Sequence, residues 1–561
     1  MVIRSKPTLL ALALLAHALP GQTQSAQQQS RHILTTPAGV FFDDVVVSGG
    51  SPSANPNPSL PGVRWTYPSS VPWITEFTSV GNSGTFAWLG QNLNGQRVSF
   101  LQTTDDTVPA TPRWETPITG AQRIVVRAAD KARACAVVVV TSPAQNVYVY
   151  ELRYHKGDSP TPLWSVTLSG LLPGSAVSHQ ISDDGRIVSV GYTNAAQFAE
   201  AQIFDAFSAT PTVPVRTITT TSAGPRKVDL SANGKVVLFG NHTNNLLFDV
   251  ATGNPITSDF TTVSHDAHTI DANGTTWARG GFDVGAWKQT PSGWQRVLNF
   301  KDFSLSFGVY LACDLSADGS TFVVAATDAS NSYLPFRVYC WNLTATGSTL
   351  LWTFSASGSG QFQDTPSACS VSDNGKYIAV GSWGSQSNSH PEAMLFDRDA
   401  GNVPIGFVDT PGSVFDLDLS GDGQFLVIGT KSVHANTFGN GGEGYCYDRG
   451  GQGHRMKGPA APGTTFKLET GGNVGEPVIC VLGSALGAPI TIPGLLGQLR
   501  IDLTQPYVAF AAGIVPASGV HILPLTVPNV PSAIGVSNWT QPARLGAIPE
   551  IENVVQIAIT Q

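Results

Sequence analysis

A short phrase recurs through the middle of the chain: Ser, a variable residue, Asp or Asn, Gly, and then an apolar run. It stands at Ser182-Asp183-Asp184-Gly185, Ser231-Ala232-Asn233-Gly234, Ser316-Ala317-Asp318-Gly319, Ser372-Asp373-Asn374-Gly375 and Ser420-Gly421-Asp422-Gly423. Asp271-Ala272-Asn273-Gly274 is a weaker copy, Gly81-Asn82-Ser83-Gly84 is weaker still, and Asp130-Lys131-Ala132 is degenerate. From Gly185 the successive glycines lie 49, 40, 45, 56 and 48 residues apart, and the 101 residues from Gly84 to Gly185 hold two periods. That makes eight copies. Self-similarity at such a period means one supersecondary unit repeated, each covering its apolar face against its neighbours.

Within a unit, the Asp-Gly or Asn-Gly pair supplies the positive φ angles of a tight turn between antiparallel strands. A short strand such as 311–315 precedes the turn, and an apolar run such as 322–325 or 377–380 follows it. An aromatic-rich third strand comes next, at 147–150, 201–204, 246–248, 337–341, 393–396 and 444–447. A second turn such as Thr252-Gly253 leads to a fourth strand such as 350–354. Four strands per repeat with no helical periodicity predict an all-β fold, a β-propeller over 65–460 with eight repeats counted and seven blades left open. The turn phrase resembles that of WD-repeat, YVTN and TolB-type propellers, and Asp249-Val250-Ala251-Thr252-Gly253 resembles a turn of quinoprotein dehydrogenase blades. The quinoprotein resemblance implies adjacent cysteines under a quinone and a calcium pocket, yet no two of the six cysteines here are adjacent.

Outside the repeats the composition changes. Arg4 and Lys6 precede an apolar run over 8–19 and an Ala16-His17-Ala18 site, which predicts a secretory signal peptide within 1–26, cleaved between 18 and 26. The protein is therefore expected in the periplasm, at the cell surface or in the medium. Residues 27–64 hold a strand near 40–47, added to the last blade or to the C-terminal region, and a Pro/Ser/Asn linker over 48–62. From 461 to 561 the Asp-Gly turn disappears and strands alternate with Gly and Pro, which predicts a small β-sandwich. Segments 477–484, 522–528 and 556–560 resemble a C-terminal β-sandwich of large exported bacterial proteins, which implies sorting, surface attachment or carbohydrate contact.

The chemistry-bearing motifs are few. The chain has no HExxH helix, no GxSxG elbow, no phosphate loop and no dinucleotide fingerprint. A net charge of −8 with 12% charged residues gives no basic footprint for nucleic acid. His242, His265 and His268 are candidate metal ligands, although His268 shares its place before the turn with His179, Cys313 and Cys369, which suits packing. Asp229, Asp314 and Asp418 each stand five residues before the turn glycine, where a carboxylate accepts backbone hydrogen bonds. Asp416, Asp418 and Asp422 also admit a calcium reading. Cys313 and Cys369 occupy one position in successive repeats and are the best disulfide pairing, buried free thiols being the alternative. The loops after the second strands carry aromatics among polar residues and point to Tyr333, Trp383, His390, His434 and Phe438 as binding residues. The expected function is a secreted, non-enzymatic binding or cell-surface propeller for a protein or glycan. The competing expectation is a quinoprotein-like oxidoreductase or a propeller hydrolase.

Overall fold

The computed structural model describes residues 29–36, 39–46 and most of 63–559; the expected signal peptide and linker lie outside the described residues. Its elements are strands, with two single-turn 310 segments at Ala329–Asn331 and Pro531–Ala533 and no α-helix among the described residues. Eight four-stranded antiparallel sheets follow one another. Sheets 1 to 7 occupy 74–117, 121–168, 177–223, 225–260, 268–300, 308–357 and 366–408, each with its strands in sequence order. Sheet 8 takes three strands from 414–448, and its fourth is Val63–Tyr67, paired with Gly444–Asp448. This all-β body of repeated four-stranded sheets fits a propeller-like repeat fold. The strand Gly39–Val46 joins neither sheet 8 nor the C-terminal region but pairs with Gln29–Thr36.

The recurring phrase folds the same way each time. In sheet 3, Gly185 N–H donates to the Ser182 carbonyl (2.8 Å), and Ser182 Oγ donates to Asp184 Oδ1 (2.6 Å). Asp184 Oδ1 also accepts from Arg186 N–H (2.9 Å), and Ser182 Oγ from Ile187 N–H (2.9 Å). The same Ser–Asp or Ser–Asn bond recurs at 231–233, 316–318, 372–374 and 420–422. Positive φ falls on the glycine alone (+71° at Gly185), so the Asp or Asn does not adopt it as the sequence suggested. Its carboxylate or amide oxygen instead satisfies N–H groups that the turn would leave bare.

These turns also join the sheets. Asp183 N–H donates to Ala232 O, Asn233 to Ala272 O, Ala272 to Ala317 O, Ala317 to Asp373 O and Asp373 to Gly421 O, all between 2.7 and 3.1 Å. The turn glycine packs on the preceding sheet: a Cβ at Gly375 (φ +69°) would strike Thr321 Cβ at 2.8 Å. Gly375→Ala is expected to cost about 2 kcal/mol, from left-handed strain plus overpacking. Gly401→Ala (φ +98°), where a Cβ meets nothing within 4 Å, should cost about half as much in denaturant titrations.

An apolar cluster fills each gap between consecutive sheets, from Trp88, Phe100 and Trp114 with Val126 and Val137 (sheets 1 and 2) to Tyr377 and Leu395 with Leu417 and Tyr445 (sheets 7 and 8). A further cluster joins Trp65, Phe425 and Cys446 of sheet 8 to Val80, Leu89 and Leu101 of sheet 1. In the C-terminal region, Gly453–Lys457, Thr465–Gly471 and Val520–Thr526 form a three-stranded sheet, and 477–558 supplies a five-stranded one.

Candidate functional site: the cavity and the loop rim

The first strands of all eight sheets line one cavity of about 1530 Å3. At one end its wall is the phrase turns together with Leu486, Leu495, Arg500, Trp539 and Ile551 of the C-terminal region. Arg500 Nη1 donates to Asp373 Oδ2 at 2.6 Å, an ion pair between that region and the turn of sheet 7. The C-terminal region thus sits at the turn end. The connections between sheets and the loops after the second strands lie at the other end.

The cavity carboxylates serve mainly as ties between sheets. Asp418 Oδ2 accepts from Val80 N–H (2.9 Å) and Ser79 Oγ (3.0 Å) of sheet 1, and its Oδ1 from Ser370 Oγ of sheet 7 (3.3 Å). Asp314 accepts from Thr269 Oγ1 (3.0 Å) and Val371 N–H (2.8 Å), so it spans sheets 5, 6 and 7. Asp416 Oδ2 takes Thr78 N–H (3.1 Å) and Arg127 Nη1 (3.4 Å). Asp229 pairs with Lys227 (3.4 Å), whose Nζ also donates to the His268 carbonyl (2.6 Å). Burial raises the carboxyl pKa of Asp314 to about 7 and of Asp418 to about 6, since enclosed protein solvates a charge worse than water does. Asp422 stays in its turn, held by Ser420 Oγ and Gln424 N–H, so the three carboxylates of the calcium reading have their donors elsewhere.

His268 is fully buried in the strand His268–Ile270, while His242 and His265 lie outside the described residues. Cys313 and Cys369 are free thiols, not a disulfide. Cys313 meets the backbone at Gly280 of sheet 5, and Cys369 the backbone at Ala325 of sheet 6. Equivalent positions point the same way around the array, so each sulfur faces the preceding sheet rather than the other sulfur.

At the loop rim, Trp383 and His390 have turned inward. Trp383 is 8% exposed, and its carbonyl accepts from Ser413 Oγ (2.6 Å) and His434 Nδ1 (2.9 Å). His390 is buried on the Phe336 ring, with Nε2 against Asp364 Oδ2 (2.5 Å) and Nδ1 against the Pro391 carbonyl (3.0 Å). Burial lowers the His390 pKa, but the hydrogen bond and charge of Asp364 outweigh it, so the pKa is raised above its ordinary value. With both ring nitrogens held in hydrogen bonds, the side chain has no nitrogen left for a metal or for base catalysis. Phe438 lies outside the described residues. Tyr333 is half-buried and, with Ser332, holds a positive φ (59° and 54°), a strained pair of neighbours without glycine.

Two exposed aromatics stand on the connection between sheets 5 and 6 rather than on a second-strand loop. Phe303 is 86% exposed and Phe307 41%, and the Phe307 ring lies 5.0 Å from that of Phe282. The loop beneath them is fixed. Asp302 accepts from Ser304 N–H (2.8 Å) and Tyr339 Oη (2.5 Å), Leu305 is buried, and Asp328 accepts from Ser306 N–H (2.8 Å) and Phe307 N–H (3.0 Å). Asp328 Oδ1 also holds Ser330 N–H (2.9 Å), which ties this loop to the one carrying Tyr333. The sequence signal was a pair of phenylalanines four apart in a Ser-rich joint between strands.

No protein-family model matches the chain, and no curated protein matches it.

Proposed function

We propose that the chain is a secreted, non-enzymatic recognition protein: an eight-bladed β-propeller, closed into a ring and followed by a small β-sandwich, that binds a glycan or protein at its loop rim. Three observations support closure. Val414–Leu419 of sheet 8 packs on Ile74–Val80 of sheet 1, Asp418 ties the two, and Val63–Tyr67 completes sheet 8 from the other end of the array. A cluster shared by Phe466 and Leu468 of the three-stranded sheet and Ile557 of the five-stranded one supports the sandwich. Export follows from the signal-like segment at 1–26. Among the described residues, no helix is long and apolar enough to cross a membrane.

Phe303 carries the recognition reading. An aromatic ring kept 86% exposed on a loop fixed by two aspartates, with Lys301 Nζ 6.0 Å over it, adds little to folding. It costs little entropy to bind with, which is what a preorganised contact needs. The engaged nitrogens of His390 favour recognition over acid–base catalysis at this rim. Retention on an immobilised glycan array and on a panel of exported proteins tests the reading. Phe303→Ala should leave stability within about 0.5 kcal/mol of the parent and weaken retention at least about tenfold. Unchanged retention would remove the rim from the proposal. Dye reduction after reconstitution with quinone and calcium would favour the oxidoreductase instead.

A further inference from the structure

The strand Tyr507–Ile514 forms one edge of the five-stranded C-terminal sheet. It pairs with Pro477–Gly483 on one side and with no strand on the other among the described residues. An open edge offers a row of unpaired N–H and C=O groups, and proteins usually blunt it with Lys, Pro or an inward charge. This edge has none of them. From Leu503 through Ala543 the sequence contains no Asp, Glu, Lys or Arg. Tyr507 is 51% exposed, Val508 49% and Ile514 62%, so both faces of the strand present apolar side chains.

We propose that two copies of this chain pair edge to edge along Tyr507–Ile514, forming a twofold dimer through the C-terminal sheet. Charge argues for a second copy as the occupant. Chains of net charge −8 repel one another, and an uncharged surface is where two of them can meet without like-charge contacts. Geometry argues the same way, because an antiparallel strand laid against itself is self-complementary about a twofold axis. A register shift leaves Ala512 without a partner on Pro477–Gly483 and bends the far end, so the straight part is 507–511. Centring the pair on Ala509 sets Val508 opposite Phe510 on both halves, a favourable β-branched and aromatic match. Ile514 at the strand's end and Leu503 and Ile522 beyond it in sequence, each at least 40% exposed, extend the patch toward the ~800 Å2 per partner of a stable interface.

Sedimentation velocity of the full chain over a concentration series tests this. The parent should shift from monomer to dimer with concentration. Val508→Lys, at an exposed position, should keep the parental unfolding midpoint and weaken the dimer at least about tenfold. Ala509→Lys serves as a second edge variant should Val508→Lys misfold. Val403→Lys, at a 68% exposed position between strands of sheet 7, should dimerise like the parent. A parent that stays monomeric throughout, or edge variants that associate as well as it does, would overturn the proposal. Neither result bears on the loop rim.

Discussion

Trp65→Ala is expected to remove about 3–5 kcal/mol of stability, the cost of emptying a fully buried aromatic site. Trp65 has no exposed surface, and its Nε1–H donates to the Thr103 carbonyl (3.1 Å). Its strand stands opposite Cys446, and its ring packs among Val80, Leu89, Leu101 and Phe425. These partners belong to the first and last sheets. In a closed ring, loosening this seam exposes both, and neither has another neighbour to cover the freed face. The loss should therefore appear as a lower midpoint for the whole transition, followed together by tryptophan fluorescence and by far-ultraviolet circular dichroism. Trp294→Ala, at a half-buried position on the outer strand of sheet 5, should cost less than half as much. If Trp65→Ala produced a small early transition and left most of the amplitude at the parental midpoint, the ring reading would fail.

The repeat was legible because its turn is chemically narrow. Glycine is needed for the left-handed position, Asp or Asn for the bare N–H groups, and Ser to fix both. The strands after each turn followed from that anchor, and the aromatic third strands fell where the sheets have them. Val63–Tyr67 was not legible as part of sheet 8, because it carries no phrase and its pairing joins distant parts of the chain. Composition marks the rim but does not say which way a side chain points. His390 turns inward because its partner Asp364 arrives on a connection between sheets, and the Trp383 ring lies toward Phe415 of sheet 8. Phe303 stays out because the neighbouring Asp302 and Leu305 hold its loop down. The thiols show the converse: equal positions in successive repeats predicted proximity but left out direction.

His390→Ala should cost about 3–5 kcal/mol, comparable to the loss of Trp65, because it leaves the Asp364 carboxylate buried without a counter-charge. Asp364 has no exposed surface and His390 very little. The pair joins the connection between sheets 6 and 7 to the loop before the third strand of sheet 7, and Glu392, two residues on, takes Thr410 N–H (2.8 Å) from the connection to sheet 8. Burial pushes Glu392 up to about 8, so that side chain is mainly the neutral acid at neutral pH. Because the His390 pKa is raised in the fold, the stability it supplies is complete below 6.5, its ordinary value, and is lost as pH rises through the raised one. Glu392 acts in the same direction, losing its contribution as pH rises through about 8. The parent should therefore lose more stability than His390→Ala between pH 6 and pH 9, and the gap between them should narrow. The double variant Asp364→Ala/His390→Ala should be more stable than the sum of the single losses, since no charge is left unpaired. Additive losses, or a gap that widens with pH, would show that the imidazolium does not hold these loops.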